Sequence, residues 1–216
     1  QRSASLFLTK TVFAMLMTLG SLVISWTGMT GHMYVYPFTP KNMYVWELIT
    51  IGLGGLLLSL QPSKERLKGS YLGTVLVRAI PAAICSSLSV AAIIATGLYW
   101  WNYEETARYL AVISFTAMSY VILFRISIPF DFYRGFVFIL TAIIGAGAFV
   151  FDYNFSKANP SSEFAFLFDV HYPTSERSWL FLGVIITGFA LVYVLIDHLI
   201  NKYAKYNKNL IDKAQA

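Results

Sequence analysis

Residues 42–60 read NMYVWELITIGLGGLLLSL. The stretch from Met43 to Leu60 carries one charge, Glu47, in an otherwise apolar run. Roughly 20 apolar residues are what a helix needs to cross the hydrocarbon core of a bilayer. No period-2 alternation of the kind a barrel strand shows is present. The stretch therefore predicts a transmembrane helix. Five further runs of the same kind surround it, at 6–28, 72–99, 107–125, 133–151 and 178–200. The predicted fold class is all-α, a polytopic membrane protein with a six-helix transmembrane bundle occupying residues 1–216 as one membrane domain.

Composition agrees. The 216 residues are 57% hydrophobic and 12% charged, about half the charge of an average soluble domain, roughly 25%. That balance sets aside a soluble globular enzyme. The aromatic share of 17% suits Trp and Tyr at two membrane interfaces. The net charge of +5 is better explained by the positive-inside rule than by a nucleic-acid partner, and none is expected. Eleven Lys and Arg fall on one side of the predicted spans: Arg2, the group around Lys64 to Arg78, Arg125, Arg134 and the tail from Lys202. Only Lys41, Arg108, Lys157 and Arg177 fall on the other. This bias predicts that both termini are cytoplasmic. It also makes 152–177 a long outward loop and the basic, tyrosine-rich tail from Asn201 a partner of the anionic inner leaflet. The first residue is Gln1 rather than Met, and the chain reads as a piece of a longer protein.

Polar residues inside the spans are the candidates for function, because an ionisable group in hydrocarbon costs roughly 2.5–3.5 kcal/mol on insertion scales. Ten of the eleven acidic residues lie in loops or at span ends, and Glu47 is the exception. On an α-helix, Glu47, Thr50 and Gly54 share a face by their spacing of three and seven. Gly52, Gly54 and Gly55 weaken the helix there, which frees carbonyls beside a carboxylate and a hydroxyl, the oxygens a hard cation takes. The competing reading is a helix packed through small residues. Lys10 lies about one turn into the first span. It either snorkels to the interface or faces the bundle as a counter-charge to Glu47. Thr116 and Ser119 share a face of the fourth span as weaker oxygen donors, although such hydroxyls usually bond their own helix. Pro81 is expected to kink the third span, where Cys85, Ser86, Ser87 and Ser89 read as small packing residues.

Several chemistries are missing. There is no phosphate-cradling G-x-x-x-x-G-K-[ST], no G-x-G-x-x-G and no H-E-x-x-H. His32, His171 and His198 are not spaced as a metal pair. No Gly-x-Ser-Gly turn with a buried histidine marks an intramembrane serine protease. The chain alone is expected to hydrolyse nothing and to have no catalytic residue or bound cofactor.

The segment YPFTPKNMYVWELITIGLGGLLLSLQPSKERLKGSYLGTVLVRAIPAA, residues 36–83, resembles the membrane region of bacterial P-type cation-transporting ATPases, the E1-E2 family. Gln61, Pro62, Lys64, Glu65 and Arg66 fill the places of that family's helix-final Gln-Pro and the basic loop after the sixth helix. SASLFLTKTVFAML, residues 3–16, is similar to its fifth helix, and the six spans match helices five to ten in order and sense. The family motif Asn-x-x-Thr-Asp-Gly is matched by Glu47-Leu48-Ile49-Thr50-Ile51-Gly52, so Thr50 is kept and Ile51 replaces an Asp. The fifth-helix Asn-x-x-Glu ligands of calcium pumps are absent near Val12 and Met15. The resemblance therefore implies a single-ion site, with Glu47 and Thr50 as metal ligands and Lys10 as the counter-charge. It implies the C-terminal transmembrane part of a pump whose actuator, phosphorylation and nucleotide domains lie in an N-terminal half. The implied partners are that half, the lipid bilayer of the bacterial plasma membrane and a transported cation. ATP and Mg²⁺ would act in the parent. Calcium leads as cargo through the resemblance alone. A six-span secondary transporter or channel subunit, and a membrane scaffold in which Lys10 and Glu47 form a structural pair, are the alternatives.

Overall fold

The computed structural model describes residues 2–27, 38–61, 71–96, 104–159 and 176–214. Six helical elements are long and apolar enough to cross a membrane, which makes this a multi-pass membrane protein. They are α1 (Arg2–Thr27), α2 (Lys41–Leu60), α3 (Tyr71–Thr96), α4 (Glu104–Ser127), α5 (Phe132–Ala158) and α6 (Glu176–Ala214). All six predicted runs are helical where they are described. Lys64, Glu65, Arg66 and Lys68, the loop residues Glu163 and Asp169, and both His32 and His171 lie outside the described residues.

α3 is the hub, packing against α1, α4 and α6. Its sequence allows this because one face is built of small side chains. Ala79, Ala82, Ala83, Cys85, Ser86, Ser87 and Ser89 are all buried, letting backbones approach closely. The helix runs unbroken through Pro81. Most hydroxyls in the spans are tolerated because they find an acceptor without water, the buried hydroxyl of Ser87 being an exception. Thr9 donates to the carbonyl of Ser5 at 2.7 Å, Ser86 to Ala82 at 2.9 Å and Ser127 to Leu123 at 2.8 Å.

Two buried clusters fill the bundle. One gathers Phe13, Trp46, Val90, Leu110 and Phe115, and the other Leu6, Leu58, Met118, Leu123, Val137 and Tyr193. α6 lies at the periphery. Leu180 and Val184, then Leu191, Leu195 and Leu199, recur every fourth residue and are exposed, the stripe a lipid-facing helix presents. At the end of the bundle where α1 begins, Gln61 ties α2 to the α4–α5 connection. Its amide donates to Asp131 at 3.0 Å and accepts from Arg134 at 2.8 Å, while Asp131 caps the first N–H of α5.

Two boundaries differ from expectation. α5 continues seven residues past Phe151, so Asp152 and Lys157 are helical rather than in a loop. The reason is a buried stripe at helical spacing, Val137, Thr141, Gly145, Asp152 and Ser156, that outlasts the apolar run. Likewise the basic tail stays helical through Ala214, since it holds neither Pro nor Gly to stop it.

Candidate functional site

The second span is not a plain α-helix. A short 3₁₀ turn, Lys41–Met43, leads into a π-helical stretch, Val45–Leu53, and only Gly54–Leu60 is α-helical. The entry turn is fixed by buried Asn42, whose side-chain oxygen accepts from the Thr39 N–H at 2.7 Å and from its hydroxyl at 2.9 Å. In the π-helical stretch each N–H reaches back five residues, as Gly54 does to the carbonyl of Ile49. Gly52 belongs to this winding, because a Cβ there would stand 2.9 Å from the carbonyl oxygen of Glu47. π-helical turns recur at functional sites, and this one contains both Glu47 and Thr50.

Glu47 faces α1. The Ser3 hydroxyl donates to the carbonyl of Gly55 at 2.8 Å, which sets the register of the antiparallel pair. Seven residues further along α1 and eight back along α2, Lys10 and Glu47 come level, and Lys10 Nζ lies 2.5 Å from Glu47 Oε1. Both side chains keep over a third of their surface, 38% and 39%, so the pair is not sealed in the core. It lines a cavity of about 400 Å³ together with Phe13, Ala14, Phe38 and Trp46. The wall beside it is aromatic. Phe13 stacks on Phe115 with centroids 4.2 Å apart, and Trp46 meets Phe115 edge-on at 4.2 Å.

Thr50 faces the other way. It is fully buried, and its hydroxyl lies 3.3 Å from that of Ser119 on α4. Ser119 donates to the carbonyl of Thr116 at 2.6 Å, and Thr116 to that of Val112 at 2.9 Å. Nearby, the Tyr120 hydroxyl donates to the carbonyl of Thr141 at 2.8 Å. Gly54 lies on this same flank, against Leu123 of α4.

The structure therefore brings the five candidate residues together as two groups on two flanks of α2. Lys10 and Glu47 form one group, and Thr50, Ser119 and Thr116 the other. The shared α-helical face of Glu47 and Thr50 is lost because π winding turns the chain through more residues per turn. Among the described residues no three His, Cys, Asp or Glu side chains gather as a metal site. A cation held here would need hydroxyl and carbonyl oxygens beside the one carboxylate.

Sequence reasoning did not find Tyr120, nor the pairing of Arg125 with Asp197, in which Arg125 Nε donates at 2.7 Å. Both of these charges sit inside spans at one end of the bundle, which was the available signal.

The chain that carries this geometry has known relatives. It is 26% identical over 205 residues to the calcium-transporting ATPase CtpE of Mycolicibacterium smegmatis, covering 90% of this chain. The proteins of the same name in Mycobacterium bovis and Mycobacterium tuberculosis are each 28% identical over 142 residues, 62% of this chain. Its relatives are calcium-transporting ATPases. The chain spans about a quarter of the first of these pumps, 24%, and 18% of the other two. No protein-family model and no solved structure matches it. The similarity to the calcium-transporting ATPases extends over nearly the whole bundle, beyond the segment around α2 that carried the motif resemblance.

Proposed function

We propose that this chain is the C-terminal membrane region, helices five to ten, of a bacterial ATP-driven cation pump, and that it supplies part of the ion site. The similarity to calcium-transporting ATPases over 205 residues carries the reading and makes calcium the leading cargo. The Lys10–Glu47 pair in the cavity between α1 and α2 supports a role in the ion site. In the empty state the ammonium of Lys10 neutralises the carboxylate. An arriving cation takes that carboxylate oxygen and displaces the ammonium of Lys10 toward the cavity, so the carboxylate is paired in both states. Thr50 stands on the other flank of α2, so its hydroxyl joins the carboxylate and the carbonyls of the π-helical turn around the ion only when α2 rotates. Phosphorylation, nucleotide binding and Mg²⁺ belong to the N-terminal half of the pump, with which α1 connects. Both termini face the cytoplasm in this reading.

The test uses the full-length pump. Glu47→Gln is expected to weaken cation-dependent phosphorylation by about tenfold or more, which corresponds to roughly 1.4 kcal/mol. Thr50→Val costs less, because it removes a neutral ligand. Lys10→Met raises cation affinity or changes the preferred ion. Signals are normalised to inserted protein. Unchanged cation affinity in Glu47→Gln removes this residue from the site. If Lys10 and Glu47 are a structural pair only, each single change lowers the amount of inserted protein and the Lys10→Met/Glu47→Gln double change restores it.

A further inference from the structure

We infer that a second, smaller cavity between α3, α4 and α6 binds a phosphate group through the guanidinium fork of Arg78, with Arg125 beside it, and its depth favours the headgroup of an anionic phospholipid as the source. The cavity has a volume of about 110 Å³ and is lined by Arg78, Arg125, Ile128, Tyr193, Asp197 and Asn201. Its charges do not balance. Asp197 is engaged by Arg125, whose Nε donates at 2.7 Å, and by the Asn201 amide at 3.0 Å. Arg78 forms no ion pair among the described residues. A guanidinium inside a span without a counter-charge is costly, and an anion entering this cavity supplies the missing one. The fork of Arg78 suits tetrahedral phosphate oxygens, which it holds through paired N–H donors, and Arg125, whose Nε and Nη2 are engaged by Asp197, adds its remaining N–H groups.

The depth is right for a lipid. Arg78 lies seven residues into α3, and Arg125 lies two residues before the end of α4. Asn201 lies two residues before the end of the lipid-crossing part of α6 at Tyr203. The three mark one end of the bundle, at the level where headgroups meet the hydrocarbon. Exposed Val77, Ile80, Ile84 and Leu88 run from the level of Arg78 toward the bilayer centre, a track for an acyl chain. Basic pockets between spanning helices at this depth are recurrent headgroup sites.

The experiment reconstitutes the full 216-residue chain in nanodiscs of phosphatidylcholine mixed with phosphatidylglycerol, and retained lipids are counted by native mass spectrometry. The wild type is expected to retain phosphatidylglycerol in preference to phosphatidylcholine. Arg78→Gln lowers the retained fraction by about tenfold. Arg78→Lys, which keeps charge and bulk, falls between the two because the fork is lost. Arg134→Gln removes a basic residue at the same end, one that bonds Gln61, and leaves retention unchanged. Displacement of the lipid by millimolar inorganic phosphate assigns the site to a free anion, and no displacement assigns it to the lipid. Wild-type retention in either Arg78 variant overturns the proposal, as does an equal loss in Arg134→Gln.

Discussion

At Gly145 the absence of a side chain is a requirement of packing. A Cβ at that position would stand 1.9 Å from the Tyr120 hydroxyl and 2.9 Å from its Cζ. That hydroxyl donates to the carbonyl of Thr141. Gly145→Ala must therefore push a rigid ring out of place, an overpacking cost of about 1–3 kcal/mol. Thermal unfolding in detergent micelles should show the loss. Gly145→Ala/Tyr120→Phe should recover part of it, because the clashing oxygen is gone. A Gly145→Ala melting curve that overlays the wild type refutes this account. Among the candidate site residues, Glu47 was legible from sequence because a lone carboxylate in an apolar run has few reasons to persist. Its partner was not, since Lys10 sits where snorkelling and bundle-facing look alike along one helix. Only the register set by Ser3 and Gly55 decides between them.

The element that matters most is the π-helical stretch of α2. The glycines signalled a weak helix, yet apolar periodicity carries no sign of whether a chain winds with bonds four or five residues apart. The sequence expectation of a shared Glu47–Thr50 face rested on α-helical spacing and dissolved with it. Gly52→Ala tests the winding itself. Its Cβ would press on the carbonyl oxygen of Glu47, a backbone atom with little room to yield. The variant is expected to lose about 1–3 kcal/mol of stability or to rewind the stretch locally. Amide hydrogen exchange across residues 45–54 reads either outcome as a changed protection pattern, while exchange in α3 stays as it was. An unchanged pattern with an unchanged melting temperature contradicts the packing argument. The ends of α5 and α6 escaped sequence reading for a related reason. Counting apolar residues finds the part of a helix that lies in lipid, whereas a helix ends where capping or its buried stripe ends.

For the whole molecule, the number and order of the spans were legible from hydropathy alone, because a bilayer leaves few ways to satisfy backbone polar groups. How the helices pack was not, since lipid-facing and helix-facing apolar residues look the same in sequence. The exposed stripe of α6 and the buried face of α3 are both apolar runs, and only the small residues of α3 hint at the difference. The charge bias predicts that the far end of α5 and the far end of α6 lie on opposite sides of the membrane. Lys157→Cys and Lys208→Cys should then react with a membrane-impermeant thiol reagent from opposite faces of sealed vesicles. Native Cys85 is buried and gives no background. Labelling of both positions from the same face sinks the six-span topology.

α6 has 39 residues, which at about 1.5 Å each make a rod about 58 Å long. The hydrocarbon core is about 30 Å thick, and the lipid-crossing part of α6 ends at Tyr203. The eleven residues from Ala204 to Ala214 continue the same rod for about three more turns. A helix anchored in lipid along one part and projecting beyond it works as a lever. Rocking it by about 10° carries the Ala214 end through about 10 Å, given the length above. Small tilts deep in the bilayer thus arrive in water as displacements the size of a side chain or more, well suited to a distance probe placed on that end.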